Sequence, residues 1–316
     1  MVAASKTIWL CPGQGAQKVG MGKDLAERFP AARDTLQAID ETLGVPLSRL
    51  MFEGPEAELT ATHNAQPAIL AHSAAVFAVV GPAVNGAAVA AAGHSLGEYS
   101  AYVAAGALAP TDAAALVRRR GELMQQAGTA RPGTMAAVLG LPTADVEAVC
   151  RETASGGGVV VAANFNAPDQ TVISGDPESV AKAGAACRAR GAKRVIPLQV
   201  GGAFHSPLMA PAADRLRTAL EHAPFRDPAF PVVANATAEP VREATCARRL
   251  LADQLTAPVR WVACMRRAVE LAGGEPRFLE IGPGKVLAGL LKRIVPAASV
   301  VSLGTAGEVT EFLEAA

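Results

Sequence analysis

The stretch Gly93-His94-Ser95-Leu96-Gly97 constrains what this chain can fold into more than any other. It has the form G-x-S-x-G, and its flanks give the pattern meaning. Ahead of it runs Ala87-Ala88-Val89-Ala90-Ala91-Ala92, small and apolar, which reads as a buried strand. Behind it, Glu98 to Ala105 reads as a helix closed by Gly106. A serine on a strand-to-helix turn is a nucleophile elbow. Glycines two residues to either side let the backbone turn without a Cβ clash. The helix points unpaired N–H groups and its positive end toward the serine. The alternative is a glycine-rich turn with an incidental serine. Glu98, in the first helical turn, reads as helix stabilisation.

The rest of the chain is read around that turn. Its 316 residues, half hydrophobic and 18% charged, suit one large domain or a large and a small one. Lys plus Arg equals Asp plus Glu at 29 each, which excludes nucleic-acid or membrane-surface binding driven by bulk charge. The five cysteines are odd in number, without C-x-x-C spacing, so neither a disulfide framework nor a metal site is expected. The apolar run within Met1 to Leu10 is too short for a signal peptide, and a cytoplasmic location is expected. Leu59 to Gly97 lacks Asp, Glu, Lys and Arg and tempts a membrane-spanning reading. Gln66, Pro67, His72, Gly81, Pro82 and Asn85 interrupt it, so it reads as a buried helix, Pro67 to Val80, and a strand.

Thr7 to Leu10 reads as a first strand running into the glycine-rich loop Pro12-Gly13-Gln14-Gly15-Ala16-Gln17. No Gly-Lys-Ser/Thr follows, so it is not a phosphate loop. Pro110-Thr111-Asp112 starts a helix to about Ala127, with an apolar stripe of Ala113, Leu116, Val117 and Met124. Arg120 falls on that stripe, where a cation is costly unless an anion meets it. Two readings stand at this point: an internal ion pair, or a grip on a substrate carboxylate.

From residue 131 to 200 the texture changes. Strands are expected at Met135–Leu139, Val159–Asn164, Gln170–Ser174 and Arg194–Val200, with helices at Thr143–Thr153 and Pro177–Gly191. That order is the β-α-β-β-α-β ferredoxin-like unit. The expected fold is therefore α/β: a large α/β-hydrolase-like domain (1–130 and 201–316) with a mainly parallel central sheet, and an inserted small ferredoxin-like α+β domain (131–200). Gly201 to Pro207 joins the two, with Ser206 as helix N-cap and Pro207 as first helical residue. His205 sits in that loop, readable as a surface residue or as a base held against two elements. Between Ser179 and Ala213 lie Lys182, Arg188, Arg190, Lys193 and Arg194 with no acid, either one solvated face or a surface for an anionic partner.

Ser95 and His205 together point to acyl transfer through a serine nucleophile, with oxyanion donors from the Leu96 N–H and the loop around Gln14. At this point the chain resembles the malonyl-CoA:acyl carrier protein transacylases and the related polyketide synthase acyltransferase domains. The resemblance rests on P-G-Q-G-x-Q at 12–17, G-H-S-L-G-E at 93–98, R-R-G-x-x-M at 119–124, A-F-H-S at 203–206 and Q-L-x-x-P-V-R-W at 254–261. It implies Ser95 as nucleophile, His205 as base, Gln14 and Leu96 as oxyanion donors, Arg120 as malonyl carboxylate ligand and Gln254 at the position orienting the histidine. It also implies Asn164 along the pantetheine channel and Phe204 as a malonyl-selective residue filling the space of an α-methyl group. No bound cofactor or metal is expected, coenzyme A entering as the substrate thioester. The implied partners are malonyl-CoA and an acidic, phosphopantetheinylated acyl carrier protein, with no nucleic acid and no membrane, and a monomer is expected. Two other readings compete: a discrete trans-acting acyltransferase of a modular polyketide synthase, and a proofreading thioesterase or hydrolase. A non-catalytic binding subunit is disfavoured by the joint presence of Ser95, His205 and Arg120.

Overall fold

In the computed structural model, which describes residues 6–84 and 86–315, the chain builds two sheets. The start of the Met1–Leu10 run and Asn85, both used in the reading above, lie outside the described residues. The larger sheet contains β1 (Thr7–Cys11), β2 (Ala88–Gly93), β7 (Val232–Val233), β8 (Pro240–Val241), β9 (Arg277–Ile281) and β10 (Ser299–Leu303). Its order is β10-β9-β1-β2-β7-β8. Every pairing is parallel except β7 with β8, so the sheet is mixed. The smaller sheet contains β3 (Thr134–Leu139), β4 (Val160–Ala167), β5 (Gln170–Gly175) and β6 (Arg194–Pro197), in the order β4-β5-β3-β6 and antiparallel throughout.

Period-two alternation explains why the large sheet is covered on both faces. Trp9, Cys11, Ala91, Leu279 and Ile281 join the cluster beneath the helices Pro30–Leu43, Thr62–Val84 and Pro110–Ala130. Ile8, Leu10, Ala90, Ala92 and Phe278 join the opposite cluster with Trp261–Ala272 and Val286–Ile294. The small sheet behaves likewise. Ala136, Val138 and Ile173 pack on its helices Thr143–Ser155 and Pro177–Ala189. Met135, Ala137 and Val172 face the main core. The segment before helix Trp261–Ala272 ties β4 to the chain just beyond β7: Val259 N–H donates to Ala163 O (2.8 Å), its carbonyl accepts from Phe165 N (2.9 Å), and Arg260 N donates to Asn235 O (3.0 Å).

Because β1 and β2 are adjacent and parallel, their carboxyl ends lie side by side, with Cys11 opposite Gly93. The Pro12–Gln17 loop therefore emerges beside the elbow, and His94 N donates to Cys11 O at 3.0 Å. The contact is too close for side chains. A Cβ on Gly93 would stand 1.8 Å from Gly97 O, and one on Gly97 would stand 2.1 Å from Cys11 O.

Several elements differ from the sequence reading. The long apolar helix starts at Thr62, with Pro67 in its interior. Pro67 cannot donate to the carbonyl four residues back, His63 O. Arg118 Nη1 fills that place at 2.9 Å, a compensation no local pattern shows. This helix, alone among the described residues, is long and apolar enough to cross a membrane, and 67% of its most apolar window is buried in the fold. The last strand of the small sheet stops at Pro197, not Val200: Leu198 N still donates to Met135 O (3.0 Å), but Val200 N turns back to Leu198 O (3.0 Å), which takes the chain out of the ladder. A further helix runs Ala244–Asp253. Ser206 caps as expected, its Oγ accepting from Leu208 N, although Pro207 opens a 3₁₀ turn before the helix Ala210–His222.

Gly97→Ala should lower unfolding free energy by about 3 kcal/mol, since backbone atoms must move to admit the methyl. Gly289→Ala, in open space on the exposed face of Val286–Ile294, should instead raise it by about 0.5–1 kcal/mol. Urea unfolding of both variants measures the contrast, and equal effects would contradict the close-approach account.

Candidate active site

Ser95 takes φ 52°, in the left-handed region that a non-glycine residue occupies only under constraint. Asn235 supplies that constraint. Its Oδ1 accepts from Ser95 N (2.7 Å) and its Nδ2 donates to Gly93 O (2.7 Å), clamping both sides of the turn. His205 is also left-handed, at φ 56°, and only 4% exposed. Its Nδ1 lies 2.9 Å from the backbone carbonyl of Gln254 and its Nε2 lies 2.7 Å from Ser95 Oγ. A carbonyl only accepts, so Nδ1 carries the hydrogen and Nε2 presents its lone pair to the serine. Burial first, and the Arg120 charge second, pull the His205 pKa from 6.5 down to about 3, keeping the ring neutral.

Arg120 is 1% exposed and lies against Ser95. Its Nη2 donates to Ser95 Oγ (3.1 Å) and to Gln254 Oε1 (3.0 Å), and its Nη1 donates to Gln66 Oε1 (2.5 Å). Among the described residues no carboxylate forms an ion pair with it, and its buried Nε has no partner. Of the two readings open from spacing, the internal ion pair is absent. Amide oxygens and the Tyr99 ring (5.8 Å) hold a buried guanidinium whose charge has no direct counter-ion. Arg118 and Arg119 point away and meet Glu122.

A cavity of about 370 Å³ opens onto these groups, lined by Gln14, Leu96, Arg120, Asn164, Phe204 and His205 among others. Gln14, Leu96, Arg120, Asn164, Phe204 and His205 therefore line one cleft with Ser95, and Gln254 lies directly behind it. Leu96 precedes the helix Gly97–Ala104, so its N–H has no intrahelical partner. Gln14 comes from the loop after β1, its side chain 3.4 Å from Thr62 Oγ1. Asn164, on β4 of the small sheet, brings the second lobe to the cleft.

Sequence reasoning missed Asn235 and Gln66, neither of which sits in a pattern, and saw only part of what Glu98 does. Glu98 stands in the first turn of its helix as expected, but it is 0% exposed, and its Oε2 accepts from Asn235 N (3.0 Å) and Gln254 Nε2 (2.7 Å). The helix that carries it, Gly97–Ala104, is buried on all sides. Burial pushes the Glu98 pKa up to about 7 against those bonds. The basic run also resolves: Lys182 pairs with Glu178 and Arg190 with Glu152, from outside the window, while Lys193 and Arg194 are exposed.

The family model for the acyl transferase domain matches residues 8–312. This chain belongs to the acyl transferase domain family. It is 45% identical over 295 residues to the malonyl CoA-acyl carrier protein transacylase of Bacillus subtilis, covering 92% of this chain and 90% of that one. To the Escherichia coli (strain K12) protein of the same name it is 42% identical, with 96% and 97% covered. Among solved structures it matches a type II polyketide acyl carrier protein bound to its malonyl-transacylase, with TM-score 0.93, 42% identity and coverage of 99% and 100%. An acyl carrier protein S-malonyltransferase from Vibrio cholerae gives TM-score 0.93 at 40% identity, with 98% and 100% covered.

A base must be neutral to act, and His205 resists protonation as pH falls through 6.5. The acidic limb of kcat/KM should therefore lie well below pH 6.5, and a limb at 6.5 would contradict a dry imidazole. The same shift works against stability. Below 6.5 the unfolded chain binds a proton that folded His205 refuses, so its contribution falls as pH drops from 6.5 toward 3.

Proposed function

We propose that this chain moves a malonyl group from malonyl-CoA to the phosphopantetheine thiol of an acyl carrier protein by a ping-pong route through an acyl-serine. Ser95 Oγ attacks the thioester carbonyl while His205 Nε2 takes its proton. The N–H groups of Gln14 and Leu96 receive the oxyanion. The carbon–sulfur bond breaks, and the CoA thiolate leaves with the proton from His205. The carrier's thiol then gives its proton to His205 and attacks the acyl-serine, and Ser95 recovers its proton as the malonyl thioester departs. No metal or bound cofactor takes part in these steps.

One observation carries the choice of acyl group: a buried guanidinium bonded to two amide oxygens and to Ser95 Oγ (3.1 Å), with no carboxylate paired to it among the described residues. A terminal carboxylate supplies the counter-charge that the protein withholds. Phe204, buried at the cleft wall beside His205, limits room for an α-substituent. Asn164 lines the approach for the pantetheine arm, and exposed Lys193 and Arg194 suit an acidic carrier. The relatives' names, at 42–45% identity over nearly the whole chain, support transfer rather than hydrolysis.

The reading includes a division into 1–130 with 201–316 as an α/β-hydrolase-like catalytic domain and 131–200 as a ferredoxin-like unit. The second part is supported by its antiparallel order β4-β5-β3-β6 with two helices on one face. It also includes a monomer in a reducing cytoplasm, a setting that suits five unpaired cysteines.

Arg120→Ala should lower kcat/KM for malonyl-CoA by on the order of 100-fold. Acetyl-CoA should gain relative to malonyl-CoA in that variant. Transfer to phosphopantetheinylated carrier protein, followed across an acyl-CoA panel, measures both. Unchanged malonyl preference would remove Arg120 from acyl selection.

A further inference from the structure

Among the described residues Glu98 is the one carboxylate buried behind the cleft, and no step above uses it. Its two oxygens are not equivalent. Oε2 accepts both from the backbone N–H of Asn235 and from the side-chain amide of Gln254, while Oε1 has no partner among the described residues. Each arm from Oε2 leads to a different catalytic group. Asn235 holds Ser95 N through Oδ1 and Gly93 O through Nδ2, which fixes the left-handed turn that presents the nucleophile. Gln254 aligns His205 through its backbone carbonyl, and its side chain is a relay. Nε2 donates to Glu98 and to Ser95 O, which leaves Oε1 facing the Arg120 guanidinium. With Glu98 accepting, the Gln254 amide has one orientation that satisfies all three neighbours. Turned over, its oxygen would face two acceptors and its NH₂ would face a cation.

We propose that Glu98 is a positioning residue: one carboxylate oxygen sets both the Asn235 clamp on Ser95 and the Gln254 amide beside His205, so that nucleophile and base are registered to each other from a single atom. The inference rests on Ser95 and His205 being the reacting pair. It requires an oxygen at the Oε2 position, with two lone pairs and the reach of a Glu side chain. Glutamine meets that requirement. Methionine, of similar length, has no comparable acceptor, and aspartate keeps the charge but withdraws it by one methylene.

The test compares Glu98→Gln, Glu98→Met and Glu98→Asp with wild type and Ser95→Ala. Malonyl-CoA loads the enzyme and a phosphopantetheinylated carrier protein discharges it. Intact-protein mass follows both half-reactions, with rates taken per folded molecule from circular dichroism. Glu98→Gln should keep both rates within a few-fold of wild type. Glu98→Met should slow both half-reactions roughly 10- to 100-fold, in parallel, because both need the same Ser95–His205 geometry. If the methionine variant does not fold, Glu98→Asp provides the same separation: folded and slow. A folded methionine or aspartate variant working at the wild-type rate would overturn the proposal. So would a folded Glu98→Gln as slow as Glu98→Met, since charge rather than position would then matter. Ser95→Ala loading as fast as wild type would instead overturn the reading of the reacting pair.

Discussion

The hydrogen bond from Ser95 N to Asn235 Oδ1 holds a backbone conformation that the rest of the site depends on. Ser95 stands at φ 52°, which costs energy for any residue with a Cβ. The turn survives because three things coincide. Gly93 and Gly97 allow backbone contacts that no side chain would permit. The parallel pairing of β1 with β2 sets the Pro12–Gln17 loop beside the turn. Asn235, arriving from beyond β7, bonds the turn on both sides. Remove any one and the serine has no reason to point into the cleft.

Burial governs the electrostatics. The site places a guanidinium, a carboxylate and an imidazole out of water within one hydrogen-bonded network. Desolvation is the largest influence on all three, pushing Arg120 and His205 down and Glu98 up. The arrangement is not an ion pair. The Gln254 amide stands between Glu98 and Arg120, so each charge meets a dipole and neither is directly neutralised. A substrate carboxylate reaching Arg120 would find a charge still seeking a partner, and a neutral imidazole would find a proton to take from the serine. In the proposed reaction both tasks follow from the same exclusion of water.

How much of this could be read from the sequence depended on whether a residue's role was local. The elbow was legible because its chemistry lies within a few residues: small strand, glycines, serine, helix. Ser206 was legible as a cap for the same reason. The small sheet's element order was legible from periodicity, although β6 ended early where Val200 N turns back onto Leu198 O. Arg120 could be placed on a buried stripe, but spacing left its partner open, because that partner depends on what other helices bring. Asn235, far along the chain from Ser95, belongs to no pattern, and only the β2–β7 pairing brings it near. Glu98 was legible as a first-turn acid, but not its bonds to Asn235 and Gln254, because a first-turn acid normally faces water and the complete burial of Gly97–Ala104 is a tertiary fact. The start of the long helix was missed for a similar reason, since the carbonyl stranded by Pro67 is satisfied from another helix by Arg118.

The central claim is that Ser95 carries the malonyl group between donor and acceptor. Peptide mapping of the enzyme quenched in acid after brief exposure to malonyl-CoA alone tests it most directly. The account predicts one malonyl group, on the peptide containing Ser95, discharged when phosphopantetheinylated carrier protein is added before the quench. A malonyl group on another residue, or carrier protein acylated at full rate with Ser95 never modified, would contradict it.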